Sequence, residues 1–365
     1  MTSTRALNAA GQSIWLDNIT RPMLDDATLA GYIDEYMITG LTSNPTIFDK
    51  AIAGCDAYDD QIAEVGSDAA RTDEEVFFDL AIDDLRRAAD EFAEVHERTA
   101  HLDGFVSLEV SPNLAFDSTG ATIAQVRELA TRMERPNVFI KIPGTKEGVP
   151  AISDAIHEGI PVNVTLLFSS EHHLAAADAW MTGIERRIAD GLPPDVPSVA
   201  SLFMSRWDVK ASPDVPAELQ NRLGLAIGGR AYKAYLDLLA SPRMQKLMNA
   251  GARPQRLLWA STGTKDKTAS PTMYIDGLFA PYTVNTTPDG TLRACSAQGA
   301  EAPPPLMAPD GGDAEAVLAQ FAAAGVDVDV YAAELQQAGA EAFVDSWTSL
   351  LGTIAERRAA VAAGR

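Results

Sequence analysis

Short apolar runs alternate with longer amphipathic segments along most of the chain. The runs are rich in β-branched and aromatic residues and end near Pro, Gly, Asn or Asp, which is typical of buried strands. Eight runs of this kind cover residues 13–17, 38–44, 104–110, 137–142, 160–167, 198–204, 256–261 and 282–285. The chain is therefore predicted to contain eight short strands.

Helical patterns fill most of the gaps between these runs. One helix is predicted to begin at Thr72, because Thr72 and Glu75 match a capping box and apolar residues follow at helical spacing. An acidic amphipathic run from about residue 22 to 37 predicts another helix. In the fifth strand, Asn163 and Thr165 are predicted to share one face. The opposite face is predicted to hold Val162, Val164 and Leu166.

The last part of the chain departs from the alternation of strands and helices. Residues 288–313 are rich in Pro and Gly and predict a long surface loop. Residues 313–365 predict a C-terminal helical extension that packs on the barrel through an apolar stripe, which is usually a sign of core packing. The stripe consists of Phe343, Trp347, Leu350, Leu351 and Ile354.

Strands that alternate with helices and form no hairpins are typical of a parallel α/β barrel. We therefore expect an α/β fold of the (β/α)8 TIM-barrel type with additional helices, as one domain over residues 1–365. An open doubly wound sheet would alternate in the same way. However, no Gly-x-Gly-x-x-Gly follows the first strand, and the sequence contains no P-loop.

Composition narrows the range of partners. The formal net charge of −22 argues against non-specific binding to nucleic acid, and it requires local cations at any site for an anionic substrate. No apolar run approaches the ~20 residues of a membrane helix, and the first residues do not resemble a secretory signal. We therefore expect a cytoplasmic protein. The histidines lack metal-ligand spacing, so neither a metal nor a cofactor is predicted.

Lys141 lies at the carboxyl end of the fourth run, just before a Pro-Gly pair. An ammonium group among apolar neighbours loses solvation, which favours the free amine that attacks carbonyl carbons. Lys141 is therefore a candidate Schiff-base lysine. A surface lysine at a strand end is the alternative that this residue alone leaves open.

Polar residues also lie near the ends of the other runs. The carboxyl ends of parallel barrel strands meet on one face, so we expect these side chains to converge. Singly, each has a structural explanation, such as a helix cap for Asp17, a turn residue for Asn44 or a paired buried acid for Glu109. Together they would supply an amine, two carboxylates, groups that bind a polyol and a cation for phosphate. The set is Asp17, Asn44, Glu109, Lys141, Asn163, Thr165, Ser201 and Arg206.

Seven motifs, in this order, resemble those of the transaldolase family, in particular its longer bacterial subfamily. They lie at residues 15–21 (WLDNITR), 40–48 (GLTSNPTIF), 107–110 (SLEV), 140–145 (IKIPGT), 162–166 (VNVTL), 201–206 (SLFMSR) and 259–262 (WAST). The resemblance implies a class I aldolase barrel of the pentose phosphate pathway. Such an enzyme transfers a dihydroxyacetone unit from sedoheptulose 7-phosphate to glyceraldehyde 3-phosphate, giving erythrose 4-phosphate and fructose 6-phosphate.

The resemblance also implies a role for each matching residue. Lys141 would form the Schiff base, and Asp17 would take the proton of the C4 hydroxyl. Glu109, with Thr165 and a water, would shuttle protons. The remaining positions would bind substrate hydroxyls or phosphate: Asn44, Asn163, Ser201, Arg206, Ser261 and Lys265.

One position departs from the family pattern. Shorter transaldolases have an arginine two residues after the serine of the last motif, where this chain has Gly263. Lys265 is the nearest cation, and we expect it to bind phosphate together with Arg206.

Two other interpretations are open. A fructose-6-phosphate aldolase would share the lysine and the barrel but release free dihydroxyacetone, although that family is much shorter. An inactive barrel that acts as an interaction protein is disfavoured by the intact Lys141, Asp17 and Glu109. Phosphorylated sugars are the expected partners, and the expected assembly is a monomer or a homodimer.

Overall fold

A computed structural model of the protein describes residues 3–68, 70–118, 120–299 and 303–363. Within these ranges, seven strands form one parallel sheet in the order β1-β7-β6-β5-β4-β3-β2. The strands are β1 (Ser13–Leu16), β2 (Val106–Glu109), β3 (Val138–Pro143), β4 (Val162–Leu167), β5 (Ser198–Phe203), β6 (Arg256–Ala260) and β7 (Val284–Thr287). The predicted α/β class and parallel sheet are thus confirmed.

Helices connect the strands and continue beyond β7. They are α1 (Ser3–Ala9), α2 (Arg21–Asp25), α3 (Thr28–Glu35), α4 (Pro45–Gly54), α5 (Asp59–Val65), α6 (Asp73–Glu91), α7 (Ala93–Arg98), α8 (Ala121–Met133), α9 (Val149–Glu158), α10 (Ser170–Ala189), α11 (Ser205–Ala211), α12 (Leu223–Ala240), α13 (Pro242–Asn249), α14 (Met273–Gly277), α15 (Asp289–Ala297), α16 (Ala314–Ala323) and α17 (Val328–Ala363). Short 3₁₀ turns occupy Pro112–Leu114 and Ala217–Leu219.

The alternation within each strand divides the apolar residues between two cores. In β3, Val138, Ile140 and Ile142 pack against the helices, whereas Phe139 lies on the inner face of the curled sheet. Trp15 from β1 joins it there, with ring centroids 6.0 Å apart. Because the period of a strand is two residues, Lys141 shares the inner face with Phe139.

The run at 38–44 is the main departure from the eight predicted strands. It forms two isolated parallel bridges, Leu16 with Leu41 and Gly40 with Phe105, and no strand of its own. The backbone fits tightly here, since a Cβ on Gly40 would lie 2.7 Å from the Phe105 carbonyl oxygen. A left-handed Met37 (φ 57°) precedes the run and α4 begins at Pro45, which leaves little length for further pairing.

Two other predicted segments differ in detail. The helix expected at 22–37 is split into α2 and α3, because Ala27 between them adopts a left-handed conformation with φ 61°. The loop expected at 288–313 is wrong for its first part, which forms α15 and buries Thr291 and Leu292. Residues 300–302 of this segment lie outside the described residues.

The predicted helical extension at 313–365 consists of α16 and α17, and residues 364 and 365 lie outside the described residues. The apolar stripe of α17 is buried, apart from the half-buried Leu351. Polar side chains attach α17 to α4: Thr46 and Ser346 share a hydrogen bond of 2.8 Å, and Asp49 accepts one from Ser349 at 2.7 Å. The C-terminal helix therefore lies against the helix that follows the 38–44 run.

Among the described residues, no single helix combines the length and apolar composition needed to cross a membrane. The pair formed by α16 and α17, bent by 90°, meets that test only when the two are taken together.

Candidate functional site

Glu109, Lys141 and Asn163 are register partners across three neighbouring strands, β2, β3 and β4. The Lys141 Nζ donates hydrogen bonds to the Glu109 Oε2 at 3.2 Å and to the Ser43 carbonyl oxygen at 2.9 Å. Lys141 and Glu109 are each 6% exposed. The amine is therefore a buried inner-face group, and the alternative of a surface lysine is wrong.

A cavity of about 330 Å³ opens beside this amine at the carboxyl ends of the strands. Eight of the ten residues proposed from the sequence line it: Asp17, Asn44, Lys141, Thr165, Ser201, Arg206, Ser261 and Lys265. The other two lie behind the wall. Glu109 contacts Lys141, and Asn163 accepts a hydrogen bond from Ser201 at 2.7 Å. The structure thus brings the whole set together.

Asp17 and Glu109 are the two carboxylates of the site. Glu109 is buried, and Asp17 is half-buried at the cavity wall. Burial raises the pKa of Asp17, against the opposing effects of a 2.8 Å hydrogen bond from Thr42 and the charges of Lys141 and Lys265. Burial also raises the pKa of Glu109, an effect that the Lys141 ammonium opposes and the Asp17 charge reinforces. A raised pKa brings a carboxylate closer to exchanging protons near neutral pH.

Thr165 lines the same cavity as Lys141. Among the described residues its buried hydroxyl has no hydrogen-bond partner. The register between β4 and β5 shifts after Val164, and Leu166 adopts a left-handed φ of 60°. Leu166 therefore packs in the inner core, and its predicted place beside Val162 and Val164 is wrong.

Arg206 supplies a cation to the cavity wall. Its guanidinium carbon lies 5.3 Å from the ring centroid of Phe203 and 5.9 Å from that of Phe343. Burial lowers the pKa of Arg206, and no ion pair to a carboxylate forms within the described ranges. A planar, half-buried guanidinium of this kind can bind the oxygens of a phosphate.

No cluster of three or more His, Cys, Asp and Glu side chains in the described residues is arranged to hold a metal ion. The described side chains at the cavity supply an amine, two carboxylates, hydroxyls and cations.

Comparison with known proteins identifies the family of this chain. The family model described as "Transaldolase/Fructose-6-phosphate aldolase" matches residues 14–354. The chain belongs to this family. A transaldolase of Saccharopolyspora erythraea is 41% identical over 362 residues, which are 98% of each chain. A transaldolase of Thiobacillus denitrificans is also 41% identical, and the match covers 97% of this chain and all of that one.

A transaldolase of Frankia alni is again 41% identical, over 96% of both chains. Among solved structures, the catalytic domain of a hyperthermophilic chitinase from Pyrococcus furiosus has a TM-score of 0.27 at 12% identity, covering 79% of this chain and 94% of that one. That similarity is too low to support an inference. The resemblance to the transaldolase family stated from the motifs is confirmed.

Gly263, the departure from the transaldolase motif, lies beside Lys265. A Cβ added to Gly263 would be 3.1 Å from the Pro288 ring and 3.8 Å from the Lys265 Nζ. The lysine therefore reaches the volume that a side chain at position 263 would enter. Ser261 lies at the same end of β6, and its hydroxyl is 2.9 Å from that of Ser205.

Asn44, in the second of the family motifs, both caps a helix and lines the cavity. Its side-chain oxygen accepts a hydrogen bond from the Ile47 N–H at 3.1 Å and so caps α4. The structural role of Asn44 is thus that of a helix cap and not of a turn residue, and its side chain also lines the cavity. Asp17, in contrast, caps no helix, because Thr20 caps α2.

Among the cavity-lining residues that the sequence did not predict for the site, two come from helices and lie outside the transaldolase motifs. Lys50 extends from α4, and Phe343 from α17. Phe343 was predicted only as part of an apolar stripe, and Lys50 was not singled out. A single surface lysine in a helix has no sequence signal, and an apolar stripe looks the same whether it faces a core or a cavity.

Proposed function

We propose that the protein is a transaldolase, which transfers a dihydroxyacetone unit from sedoheptulose 7-phosphate to glyceraldehyde 3-phosphate. The observation that carries this proposal is the buried Lys141 amine, with Glu109 at 3.2 Å and Asp17 on the same cavity. The relatives named transaldolase, which match along nearly the whole chain, support it.

Schiff-base formation begins with attack of the Lys141 amine on the C2 carbonyl carbon of the donor. Glu109 and the free hydroxyl of Thr165, acting through a water, would carry protons to the departing hydroxide as the carbinolamine loses water. Support comes from the position of Glu109 against the amine and from its raised pKa.

Cleavage follows when Asp17 takes the proton of the C4 hydroxyl. The C3–C4 bond breaks, its electrons pass into the iminium, and erythrose 4-phosphate leaves. Carbon C3 of the bound unit then attacks the aldehyde carbon of glyceraldehyde 3-phosphate, and Asp17 returns its proton to the new hydroxyl. Hydrolysis of the new Schiff base gives fructose 6-phosphate and restores Lys141.

The remaining residues would bind the substrate. We propose that Asn44, Asn163 and Ser201 hold the hydroxyls of the three-carbon unit, because Ser201 and Asn163 form a fixed hydrogen bond beside Lys141. Arg206, Ser261 and Lys265 would bind the terminal phosphate, since both cations line the cavity of a chain whose net charge is −22.

We also propose that residues 1–365 form one domain in which the 38–44 run is the eighth strand of a closed (β/α)8 barrel. Its two bridges, one towards each edge of the sheet, support this. The proposed assembly is a monomer or a homodimer that works in the cytoplasm on phosphorylated sugars, without nucleic-acid or membrane partners and without a cofactor.

The test is a borohydride trap. Fructose 6-phosphate plus borohydride should leave a reduced adduct that peptide mapping locates on Lys141, and Lys141→Ala should lose both adduct and turnover. Asp17→Asn should still form the adduct but cleave slowly. A wild-type enzyme that releases dihydroxyacetone without an acceptor would be an aldolase, and absence of an adduct would make the barrel catalytically inactive.

A further inference from the structure

Gln336 on α17 connects the carboxyl ends of two neighbouring strands. Its Nε2 donates hydrogen bonds to the Leu166 carbonyl oxygen at 2.9 Å and to the Gly144 carbonyl oxygen at 3.2 Å, across 170 and 192 residues of sequence. Leu166 belongs to β4, and Gly144 directly follows β3. A side chain of the C-terminal helix therefore fastens the strand that carries Lys141 to the strand that carries Thr165.

The surroundings of Gln336 define which end of its amide faces the strands. Besides the two carbonyl oxygens, the His172 Nδ1 lies 3.5 Å from the Nε2. This nitrogen already accepts a hydrogen bond from the Phe168 N–H at 3.3 Å, so all three neighbours are acceptors. Only the NH2 end of the amide, and not its oxygen, is compatible with such neighbours.

The end of β4 is held by few other contacts, because its pairing with β5 is interrupted there. The register shifts after Val164, and Leu166 adopts a left-handed φ of 60°, which is unfavourable for a leucine. Thr165 lies between these two residues. From the side of β3, the Gly144 N–H donates to the Thr165 carbonyl oxygen at 2.7 Å. Gly144 therefore donates to Thr165 and accepts from Gln336.

Close contact between the strand ends limits the freedom of Thr165. A Cβ on Gly144 would lie 2.2 Å from the Leu167 side chain and 3.2 Å from the Thr165 carbonyl oxygen. The Thr165 hydroxyl is buried and has no hydrogen-bond partner among the described residues. No hydrogen bond of its own holds the hydroxyl, so its position depends on the backbone that Gly144 and Gln336 fasten.

We propose that Gln336 is a positioning residue for Thr165, and through it for the formation and hydrolysis of the Schiff base. This inference rests on the proposed transaldolase function, in which Thr165 and Glu109 move protons through a water. When the carbinolamine loses water, the C2–O bond breaks and the hydroxyl group takes a proton. The lone pair of the Lys141 nitrogen then forms the C2=N bond. A displaced Thr165 hydroxyl slows that proton transfer, because catalytic groups act only at hydrogen-bond distance.

Cleavage of the C3–C4 bond should not depend on Gln336. Asp17, the base proposed for that step, follows β1 and accepts a hydrogen bond from the Thr42 hydroxyl at 2.8 Å. Its own N–H donates to the Thr287 carbonyl oxygen at 2.9 Å. Neither contact involves α17 or the end of β4. A positioning role for Gln336 is therefore specific to the steps that use Thr165.

The experiment measures how fast the Schiff base forms. The protein is mixed with fructose 6-phosphate, borohydride is added after increasing times, and the reduced adduct on Lys141 is quantified by mass spectrometry. Gln336→Met removes both hydrogen bonds at nearly constant side-chain length, and adduct formation should slow about tenfold. If this variant does not fold, Gln336→Asn takes its place, with a smaller decrease expected because its amide is one methylene shorter.

Two second backgrounds show whether Gln336 acts through Thr165. In Asp17→Asn, which should still form the adduct, Gln336→Met should again slow adduct formation about tenfold. In Thr165→Ala it should cause no further decrease, because the hydroxyl that Gln336 positions is already absent. A residue that only stabilised the fold would have the same effect in both backgrounds.

Gln337→Met is the matched control. Gln337 is the exposed neighbour of Gln336, and its amide donates to the Glu341 carboxylate at 2.8 Å. The control should form the adduct at the wild-type rate. A wild-type rate in the Gln336 variants, an equal decrease in Gln337→Met, or a full decrease in the Thr165→Ala background would overturn the proposal. A wild-type protein that forms no adduct would instead contradict the proposed function itself.

Discussion

Lys265 and Gly263 are the residues at which this chain departs from the family motif it otherwise follows. The Lys265 Nζ reaches the volume beside the missing Cβ of Gly263 and lines the cavity with Arg206. If both cations bind the same phosphate, neither is dispensable for binding, but neither takes part in the covalent steps. The effect of replacing Lys265 should therefore appear in KM.

Lys265→Met should raise the KM for glyceraldehyde 3-phosphate roughly tenfold, because a charged hydrogen bond contributes about 1.5 kcal/mol. The KM for unphosphorylated glyceraldehyde should stay constant. Lys267→Met is the control, since Lys267 is an exposed lysine of the same loop, like Lys265, but does not line the cavity. An unchanged KM in Lys265→Met would assign the phosphate to another cation, such as Lys50.

Thr42 adjusts the proton affinity of Asp17. Its hydroxyl donates to the Asp17 carboxylate at 2.8 Å, which favours the charged form and opposes the rise in pKa caused by burial. In Thr42→Val this opposition is lost, so the pKa of Asp17 should rise further. Asp17 must be ionised to act as a base. The acidic limb of the kcat profile should therefore move to higher pH, by roughly one unit.

Thr39→Val is the control for that pH profile, because the buried Thr39 hydroxyl has no hydrogen-bond partner among the described residues. The limb should keep its wild-type position in this variant. A Thr42→Val enzyme with the wild-type profile would show that the base which limits kcat is not Asp17.

The long helix α17 has two glycines with different surroundings. A Cβ at Gly339 would lie 3.1 Å from both the Arg206 Nη1 and the Leu166 side chain, whereas nothing lies within 4 Å of a Cβ at Gly352. Gly352→Ala should raise the free energy of unfolding by about 1 kcal/mol, because alanine favours helix.

Gly339→Ala should lack that gain, since the new methyl must displace Arg206 or the helix. It should also raise the KM for phosphorylated acceptors while the adduct on Lys141 still forms. Urea unfolding and steady-state kinetics on both variants test this pair. Equal stabilisation with unchanged KM would show that α17 does not constrain Arg206.

The sequence predicted most of the helices and strands, but not the places where they break or fail to form. Alternating apolar residues located all seven strands, because each strand buries one face against helices. The 38–44 run looks like the other strands, but its pairing depends on what lies at both edges of the sheet. The Pro/Gly content of 288–313 obscured α15, which is stabilised by packing on α1.

The sequence likewise predicted most, but not all, of the residues at the candidate site. Strand ends brought together Asp17, Lys141 and Arg206 because parallel strands impose that convergence. Phe343 comes from a helix that follows all strands, and nothing local in its stripe shows that one ring faces a cavity. Leu166 was misplaced because a shift in register cannot be read from alternation alone.

The residues proposed for the reaction lie at the carboxyl ends of the strands, whereas a buried hydrogen-bond network that stabilises the fold lies at the amino ends. At the amino ends of the strands, Asp103 accepts hydrogen bonds from Ser13, from the Trp15 Nε1 at 2.9 Å and from the Arg256 guanidinium at 3.0 Å. Both members of the Asp103–Arg256 ion pair are buried. This network connects β1 and β6 with the segment that precedes β2.

Asp103→Ala should lower the free energy of unfolding by about 3–5 kcal/mol, because it leaves the Arg256 charge buried without its partner. The kinetics of the folded fraction should change little, since the site lies at the opposite end. Asp195→Ala removes the carboxylate of an exposed pair with Arg253 and should cost less than about 1 kcal/mol. Similar losses of unfolding free energy in the two variants, measured by urea unfolding, would contradict the stabilising role of the buried Asp103–Arg256 pair.

The position of Phe343 after all seven described strands also affects the order in which the cavity is formed. A ribosome has synthesised all seven strands, Lys141 and both carboxylates before it reaches residue 343, and domains form from the amino terminus during synthesis. A nascent chain that has emerged only as far as β7 therefore carries its nucleophile without the ring that covers it. Translation of α17 is the step that finishes the cavity.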